Sequence, residues 1–479
     1  LHVRSRRQRQ MCIRDRDGTV DTEFQPGSEI AGYVWAVANQ PDGKSLIAGS
    51  FTSVDAVPRR GIARLDSDGT LDRNFNPGSG VEGVIDNMAV QADGRVVLAG
   101  PFTAINETPR QGIARMNPNG SLDLAFNPRL GQFSSVRAIE IQPDGKLLIV
   151  GEFNEVNGRP RGGIARLNRD GTLDETFNPG PELGRLVRAV TIQTDGRILI
   201  AGWIGMIRGL EVRAIARLNP DGSLDTSFNP GIGTEDGPIN AIAVQSDGKV
   251  IIAGAFSRVN GVTVGCLARL NSDGSLDATY IPNMTAEEDL WSVLLQADGK
   301  VLACGAVTGA NGIPGDGIVR LDRDGSVDPS FEFLTSRYPA RYDTSMVMQA
   351  DGKVIVATLT PTNGVARLLN SPFLSQLLAV STSKVEWLRG GSAPEVTWVE
   401  FEFSVDGLVW VPLGVGNRIN GGWERAGLSL PPEGRLRARG RLSGGKNSSL
   451  VEQVASDRLG NPEITVSGKG LNIANADAT

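Results

Sequence analysis

The chain has 479 residues, of which 40% are hydrophobic and 5% aromatic, with sixty glycines and a net charge of −6. That turn-dense composition is long enough for two or more domains and fits an all-β protein better than a helical one. Leaving aside residues 1–16, with six Arg and one Asp, 42 basic residues face 53 acidic ones, a balance near −11, which excludes the clustered Lys and Arg that binding to a nucleic-acid backbone needs.

Residues 1–16 share no pattern with the rest of the chain and lack the apolar core of a secretory signal. They read as a foreign or disordered leader, so the native start is expected to be missing; a basic arm for an anionic surface is the alternative. The one histidine, His2, lies in this stretch. The body therefore has no imidazole for a Ser-His-Asp site, a Cys-His pair or a His-ligated zinc. No run of eighteen apolar residues occurs, so no membrane insertion is expected of this portion.

From residue 17 to 370 a pattern recurs every 51–53 residues. A Q-x-D-G-[KR] turn carries Asp42, Asp93, Asp144, Asp195, Asp247, Asp298 and Asp351, and a second turn family lies at Asp17, Asp68, Asn119, Asp170, Asp221, Asp273 and Asp324. In the third repeat, VRAIEIQ (136–142), the PDGK turn and KLLIVG (146–151) predict a hairpin, with Pro and Gly placed as such a turn requires. A polar loop (152–162), GIARLN (163–168) and TLDETF (172–177) then predict a third and a fourth strand. Short meandering strands at this period indicate a seven-bladed β-propeller of four-stranded blades. The chain enters with an unpartnered fourth strand, DGTVDTEF (17–24), and leaves with an unpartnered third, GVARLLN (364–370). The two ends are expected to complete one blade and close the ring, further repeats upstream being the alternative.

Each third strand has an arginine (Arg64, Arg115, Arg166, Arg217, Arg269, Arg320, Arg367) and each fourth an aspartate (Asp21, Asp72, Asp123, Asp174, Asp225, Asp277, Asp328). Matching numbers of a forked donor and a carboxylate predict structural ion pairs around the ring; a ring of arginines for an anion would need those side chains to reach the channel or a face. The aromatic three residues after each aspartate, Phe24 through Phe331 with Tyr280 in one repeat, reads as a core anchor. The DxDG turns resemble calcium loops only in part, and Asx-turn chemistry explains them without an ion; no cofactor is expected, with calcium the one candidate. Cys266 and Cys304 occupy apolar positions and read as buried thiols. The variable loops after the second strand would share one face, where Arg59, Arg110, Arg161 and Arg213 are the candidate binding residues.

The string D-G-[ST]-L-D-x-x-F-N-P-G, followed by the Q-x-D-G-[KR] hairpin and G-I-A-R-L-N, resembles the delta-60 repeat family of bacterial propeller proteins across residues 17–370. The resemblance implies a large exported or cell-surface protein and brings no catalytic residue.

At 372 the pattern changes, and four of seven tryptophans (Trp387, Trp398, Trp410, Trp423) fall within 37 residues. VEFEFSV (399–405), an Asp-Gly turn and LVWVPL (408–413) predict a half-buried hairpin, and residues 372–460 are expected to form a small β-sandwich resembling immunoglobulin-like or fibronectin-like modules. Arg435, Arg437, Arg439 and Arg441 share one strand face, to pair with Glu400 and Glu402 or meet solvent; residues 461–479 read as a tail or truncated linker. The combined expectation is a monomeric, non-catalytic surface protein whose propeller loops bind a glycan or protein, with the second domain as a spacer. The alternatives are a carboxylate-only glycosidase or lyase using loop acids such as Asp55, Glu107, Glu155, Glu211 and Asp316, and a purely structural envelope module.

Overall fold

A computed structural model describes residues 17–455 apart from 28, 132–133, 181–185, 281, 283, 285–288, 307–308, 311–312, 315–316, 332–344, 358–363, 371–373 and 446. The leader 1–16, the tail 461–479, residues 456–460 of the second domain and Asp316 lie outside the described residues. The described residues contain strands and no helix.

Seven antiparallel three-stranded sheets follow one another, each built from the two arms of a Q-x-D-G hairpin and the I-A-R-L strand. The first pairs Val34–Asn39 with Ser45–Gly49 and Ile62–Leu65; the last pairs Met346–Met348 with Val354–Ala357 and Val365–Leu368. Their second strands are apolar and buried on both faces, as face-to-face packing of neighbouring sheets demands. One seam buries Leu46, Ala48 and Ile62 of the first repeat against Met88, Val90 and Leu98 of the next, with Phe75 between them.

Among the described residues the expected fourth strand is absent. Its place is taken by a single bridge per repeat, such as Leu65 to Leu71 and Leu167 to Leu173. After that bridge Asp72 accepts the Asn74 N–H on Oδ1 at 2.9 Å, and the Phe75 N–H turns back to the Asp72 carbonyl. The aspartate thus ends the pairing it begins, because its side chain makes an Asx turn where a strand would need an extended backbone.

At the chain ends Val20 bridges Leu368, the Gly18 N–H donates to the Leu369 carbonyl and the Asp21 N–H to that of Arg367. Asn39 Nδ2 donates to the Met348 carbonyl at 2.8 Å, so the first and last sheets are neighbours and the series closes on itself.

The loops after the second strand are not irregular. In six repeats they form two-stranded hairpins, such as Ser53–Val54 with Val57–Pro58 and Glu155–Val156 with Arg159–Pro160. Their tips have positive φ, as at Asp55 (48°), Asn106 (49°), Asn157 (51°) and Asn260 (52°), the geometry of a tight hairpin turn and the reason Asn-Gly recurs there.

Residues 374–455 form two four-stranded antiparallel sheets. Leu378, Val385, Trp387 and Trp423 of one are buried in one cluster with Phe401, Leu436, Ala438 and Val451 of the other. The first half of the hairpin read at 399–413 is buried, but Leu408 and Val409 are exposed, because pairing with the preceding strand resumes only at Val411, which is itself exposed although it pairs with Phe403.

Candidate functional site

Each repeat arginine binds its aspartate: Arg64 Nε lies 2.7 Å from Asp72 Oδ2, with the same contact at 2.7–2.8 Å for Arg115 and Asp123, Arg166 and Asp174, Arg217 and Asp225, Arg269 and Asp277, Arg320 and Asp328, and, across the chain ends, Arg367 and Asp21. Nη1 reaches the following repeat, donating to the carbonyls of Pro118, Pro220 and Ser272 at 2.7 Å from Arg64, Arg166 and Arg217, and from Arg367 to Ser67 at 2.6 Å. The guanidinium lies over the repeat aromatic, 4.4–5.0 Å from the ring centre at Phe75, Phe126 and Phe177. None of these arginines faces the channel; each ties its sheet to the next.

The turn lysine is a second partner that the Arg-Asp count overlooked: Lys44, Lys146, Lys249, Lys300 and Lys353 donate to Asp72, Asp174, Asp277, Asp328 and Asp21 at 2.6–2.9 Å. The signal was the [KR] of the turn motif, twenty-eight residues before the aspartate. Burial raises the Asp72 pKa, but hydrogen bonds from Lys44, the Asn74 N–H and Arg64 outweigh it and lower it to about 2.

The DG-turn carboxylates accept from their own turns, as Asp68 does from the Thr70 N–H and hydroxyl at 2.9 and 2.7 Å. Among the described residues no group of three His, Cys, Asp or Glu side chains could hold a metal. Cys266 and Cys304 are buried thiols that form no disulfide.

Arg59, Arg110 and Arg161 are buried, and each folds its Nη1 back onto the carbonyl of the proline before it at 2.8 Å. Burial pushes the Arg59 and Arg110 guanidinium pKa down. Arg213 is exposed and paired with Glu211 at 2.8 Å.

A different position converges. The first strand bulges near its start, between Val34 and Ala36, Val136 and Ala138, Val187 and Ala189, Ile239 and Ala241, and Leu290 and Ser292. The bulged residues are Trp35, Arg137, Arg188, Asn240 and Trp291, and Asp86 is their counterpart in the second repeat. A bulge re-aims a side chain. The glycine ending the second strand makes room for it: a Cβ at Gly49 would collide with the Tyr33 carbonyl oxygen, and one at Gly254 with that of Pro238.

These side chains meet across repeats. Arg137 donates to Asp86 at 3.0 Å and to Glu152 at 2.8 Å; Arg188 donates to Asn240 at 2.8 Å, and Asn240 to Asp289 at 2.8 Å. The Arg188 guanidinium sits 5.8 Å from the Trp291 ring, two repeats away, which sets the group around the central axis. Strand direction puts it at the channel mouth on the hairpin face. Among the described residues the loop acids Glu107, Glu155 and Glu211 lie in the hairpins and not in this set, and repeat counting missed it because the position holds no constant residue.

The other end of the channel is closed. From the second domain, residues 443–445 and 447–449 enter between the first strands: Asn447 Oδ1 accepts the Met88 N–H at 2.8 Å while its Nδ2 donates to the Val37 carbonyl at 2.9 Å and Ser345 Oγ at 2.7 Å. Ser443 Oγ donates to the Val244 carbonyl at 2.7 Å, and the Gly445 N–H to that of Val293 at 2.5 Å. Arg441, expected on a solvated or Glu-paired face with Arg437 and Arg439, is 1% exposed and donates to the Val90 carbonyl at 2.8 Å. Arg437 and Arg439 pair with Glu402 and Glu452 at 2.7 and 2.6 Å. Burial, partly offset by Arg441, pushes the Glu140 carboxyl inside the channel up to about 7. The second domain is therefore not a detached spacer.

Six stretches, residues 40–75, 91–126, 142–177, 193–228, 245–280 and 296–331, match the family model described as "Domain of unknown function (DUF5122) beta-propeller". The chain carries β-propeller repeats. Residues 17–24 and 364–370, joined across the chain ends by the bridge from Val20 to Leu368, lie outside the matched stretches. No curated relative matches the chain.

Proposed function

We propose that the protein is a non-catalytic binding module: a seven-bladed propeller of the delta-60 type, stiffened by an immunoglobulin-like or fibronectin-like sandwich, that recognises a glycan or protein partner at the channel mouth on its hairpin face. The observation that carries this reading is the set Trp35, Asp86, Arg137, Arg188, Asn240 and Trp291, one first-strand position whose residue type varies from repeat to repeat while the Arg, Asp and aromatic positions stay nearly constant. Structural positions repeat because the seam they fill repeats; a position that varies at a shared mouth answers to something outside the ring. Indole faces with amide and guanidinium donors suit sugar rings and peptide chains alike.

The same face exposes Trp203, Met206 and Leu210 in the fourth repeat and Val262 in the fifth, a neighbouring apolar surface that widens the footprint. Placement at a bacterial cell surface belongs to the same proposal and rests on the repeat resemblance. For an enzyme, the mouth carboxylates Asp86 and Glu152 are both engaged by Arg137.

Binding of the whole chain to panels of extracellular polysaccharides and surface proteins, repeated with Trp291→Ala and Arg188→Ala, tests this. Saturable binding lost in both variants at unchanged melting temperature is expected. Binding untouched by both would move the site off the mouth.

A further inference from the structure

Residues 17–370 contain three of the seven tryptophans, Trp35, Trp203 and Trp291. None fills a seam. The seams take Phe75, Phe126, Phe177 and their counterparts, which are buried, whereas Trp203 is 55% exposed and Trp35 and Trp291 are half-buried at the first-strand bulge. An indole is the largest apolar group a chain has to hide, so a ring that keeps all of its indoles in contact with water, and all on one face, presents them to a partner.

Two of them flank one guanidinium. Trp203 pairs across its hairpin with Leu186, and the bulged Arg188 follows two residues later. The Arg188 guanidinium lies 5.8 Å from the Trp291 ring centre. Trp203, Arg188 and Trp291 therefore form a track over the fourth to sixth repeats, with Asn240 of the fifth bonded to Arg188 between them. In the third repeat Glu152 ends the second strand as Trp203 does in the fourth. It binds Arg137, and the two side chains are 44% and 39% exposed.

The polar groups along this track are balanced in place. Arg137 lies between Asp86 and Glu152, and Arg188 donates to Asn240, which donates to Asp289. A ligand need bring no net charge. The exposed Glu152 carboxylate and Arg137 guanidinium set an acceptor beside a donor, and a hydroxyl group, which both donates and accepts, answers the two together. Indole faces along a track with such polar edges suit a chain of pyranose rings, whose flat C–H faces cover the indoles while their hydroxyls meet the edges.

We propose that the channel mouth binds a neutral, linear, β-1,4-linked glycan, with one pyranose ring on Trp203, a later ring on Trp291, and hydroxyls on Glu152, Arg137 and Arg188. The proposal rests on the reading of the mouth as a binding site and narrows its partner to a polysaccharide. Balanced charge disfavours acidic chains, and two separate indoles call for an oligomer rather than a single sugar. Equatorial β-1,4 links keep successive rings in a flat ribbon that rests on both indoles, whereas an α-1,4 chain coils away from them.

Calorimetric titration of the whole chain with the β-1,4-linked hexasaccharides of glucose, mannose and xylose, beside their disaccharides, maltohexaose and hexagalacturonate, tests the proposal. Saturable binding of at least one β-1,4 hexasaccharide is expected, at least tenfold tighter than its disaccharide, maltohexaose or hexagalacturonate. Trp203→Ala, at an exposed position, should weaken it by roughly tenfold at unchanged melting temperature and remove the advantage of the longer chain. Trp291→Ala should weaken it to a similar degree. Hexasaccharide binding that falls in Trp291→Ala but not in Trp203→Ala would overturn the track and keep the mouth as a site; binding that neither variant changes would overturn both. No saturable binding of any of the three hexasaccharides would overturn the glycan, and a surface protein bound by the chain but released by Trp291→Ala and Arg188→Ala would then leave the mouth reading standing.

Discussion

On the turn face every repeat offers one carboxylate to the same kinds of partner: Asp72 takes Arg64 and Lys44, Asp174 takes Arg166 and Lys146, Asp328 takes Arg320 and Lys300. On the hairpin face the bulged position holds Trp, Asp, Arg or Asn according to the repeat. Identical seams demand identical clamps, so the first position is uniform; a shared mouth makes no such demand, so the second is free to diversify. The second domain adds its hydrogen bonds at the turn end of the channel.

The sharpest way to break this contrast is to remove one clamp. Asp174→Ala would leave Arg166, 8% exposed, without the carboxylate that it binds and should cost about 3–5 kcal/mol in urea unfolding, whereas Arg213→Ala on the hairpin face should cost no more than about 0.5 kcal/mol. If the two cost the same, the division of labour fails.

Asn447→Ala tests the channel plug. It would strip partners from the Met88 N–H, the Val37 carbonyl and Ser345 Oγ, and a loss of about 2–3 kcal/mol is expected by thermal or chemical unfolding. A value near zero would mean that the second domain merely touches the ring.

Glu140 supplies a pH test of the same interface. Its folded-state pKa of about 7 lies above its ordinary 4.5, so between those values the folded protein keeps a proton that the unfolded chain has released. Its contribution to stability is full below pH 4.5 and is lost as the pH rises to about 7, on the order of 2 kcal/mol. Glu140→Gln should flatten that part of the stability profile. Asp72 runs the other way: its pKa is lowered to about 2, so its contribution is present above about pH 4 and disappears as acid takes the pH towards 2.

The smallest effect sharpens the comparison from the hairpin side. Asn260→Ala, at a φ of 52°, should cost about 1 kcal/mol of stability and leave the ring clamps intact, as hydrogen exchange in the I-A-R-L strands would report.

The repeat period, the two turn families and the Arg, Asp and aromatic spacing could be read along the chain because each is a local pattern: a turn is specified by four residues, and a hairpin by a turn between two apolar runs. The expectation of a fourth strand failed for an equally local reason, since the alternating look of TLDETF hid an aspartate that breaks pairing after one bridge. What only the tertiary structure decided was which distant groups meet. Nothing in S-G-G-K-N-S-S distinguishes a solvent turn from the loop whose Asn447 hydrogen-bonds Val37 and Met88, more than 350 residues away. The mouth set was hidden because it is a bulged position with no repeated residue. Local hydrogen-bond patterns are written in neighbouring residues; the pairing of remote surfaces is settled by shape and polar complementarity once those surfaces have formed.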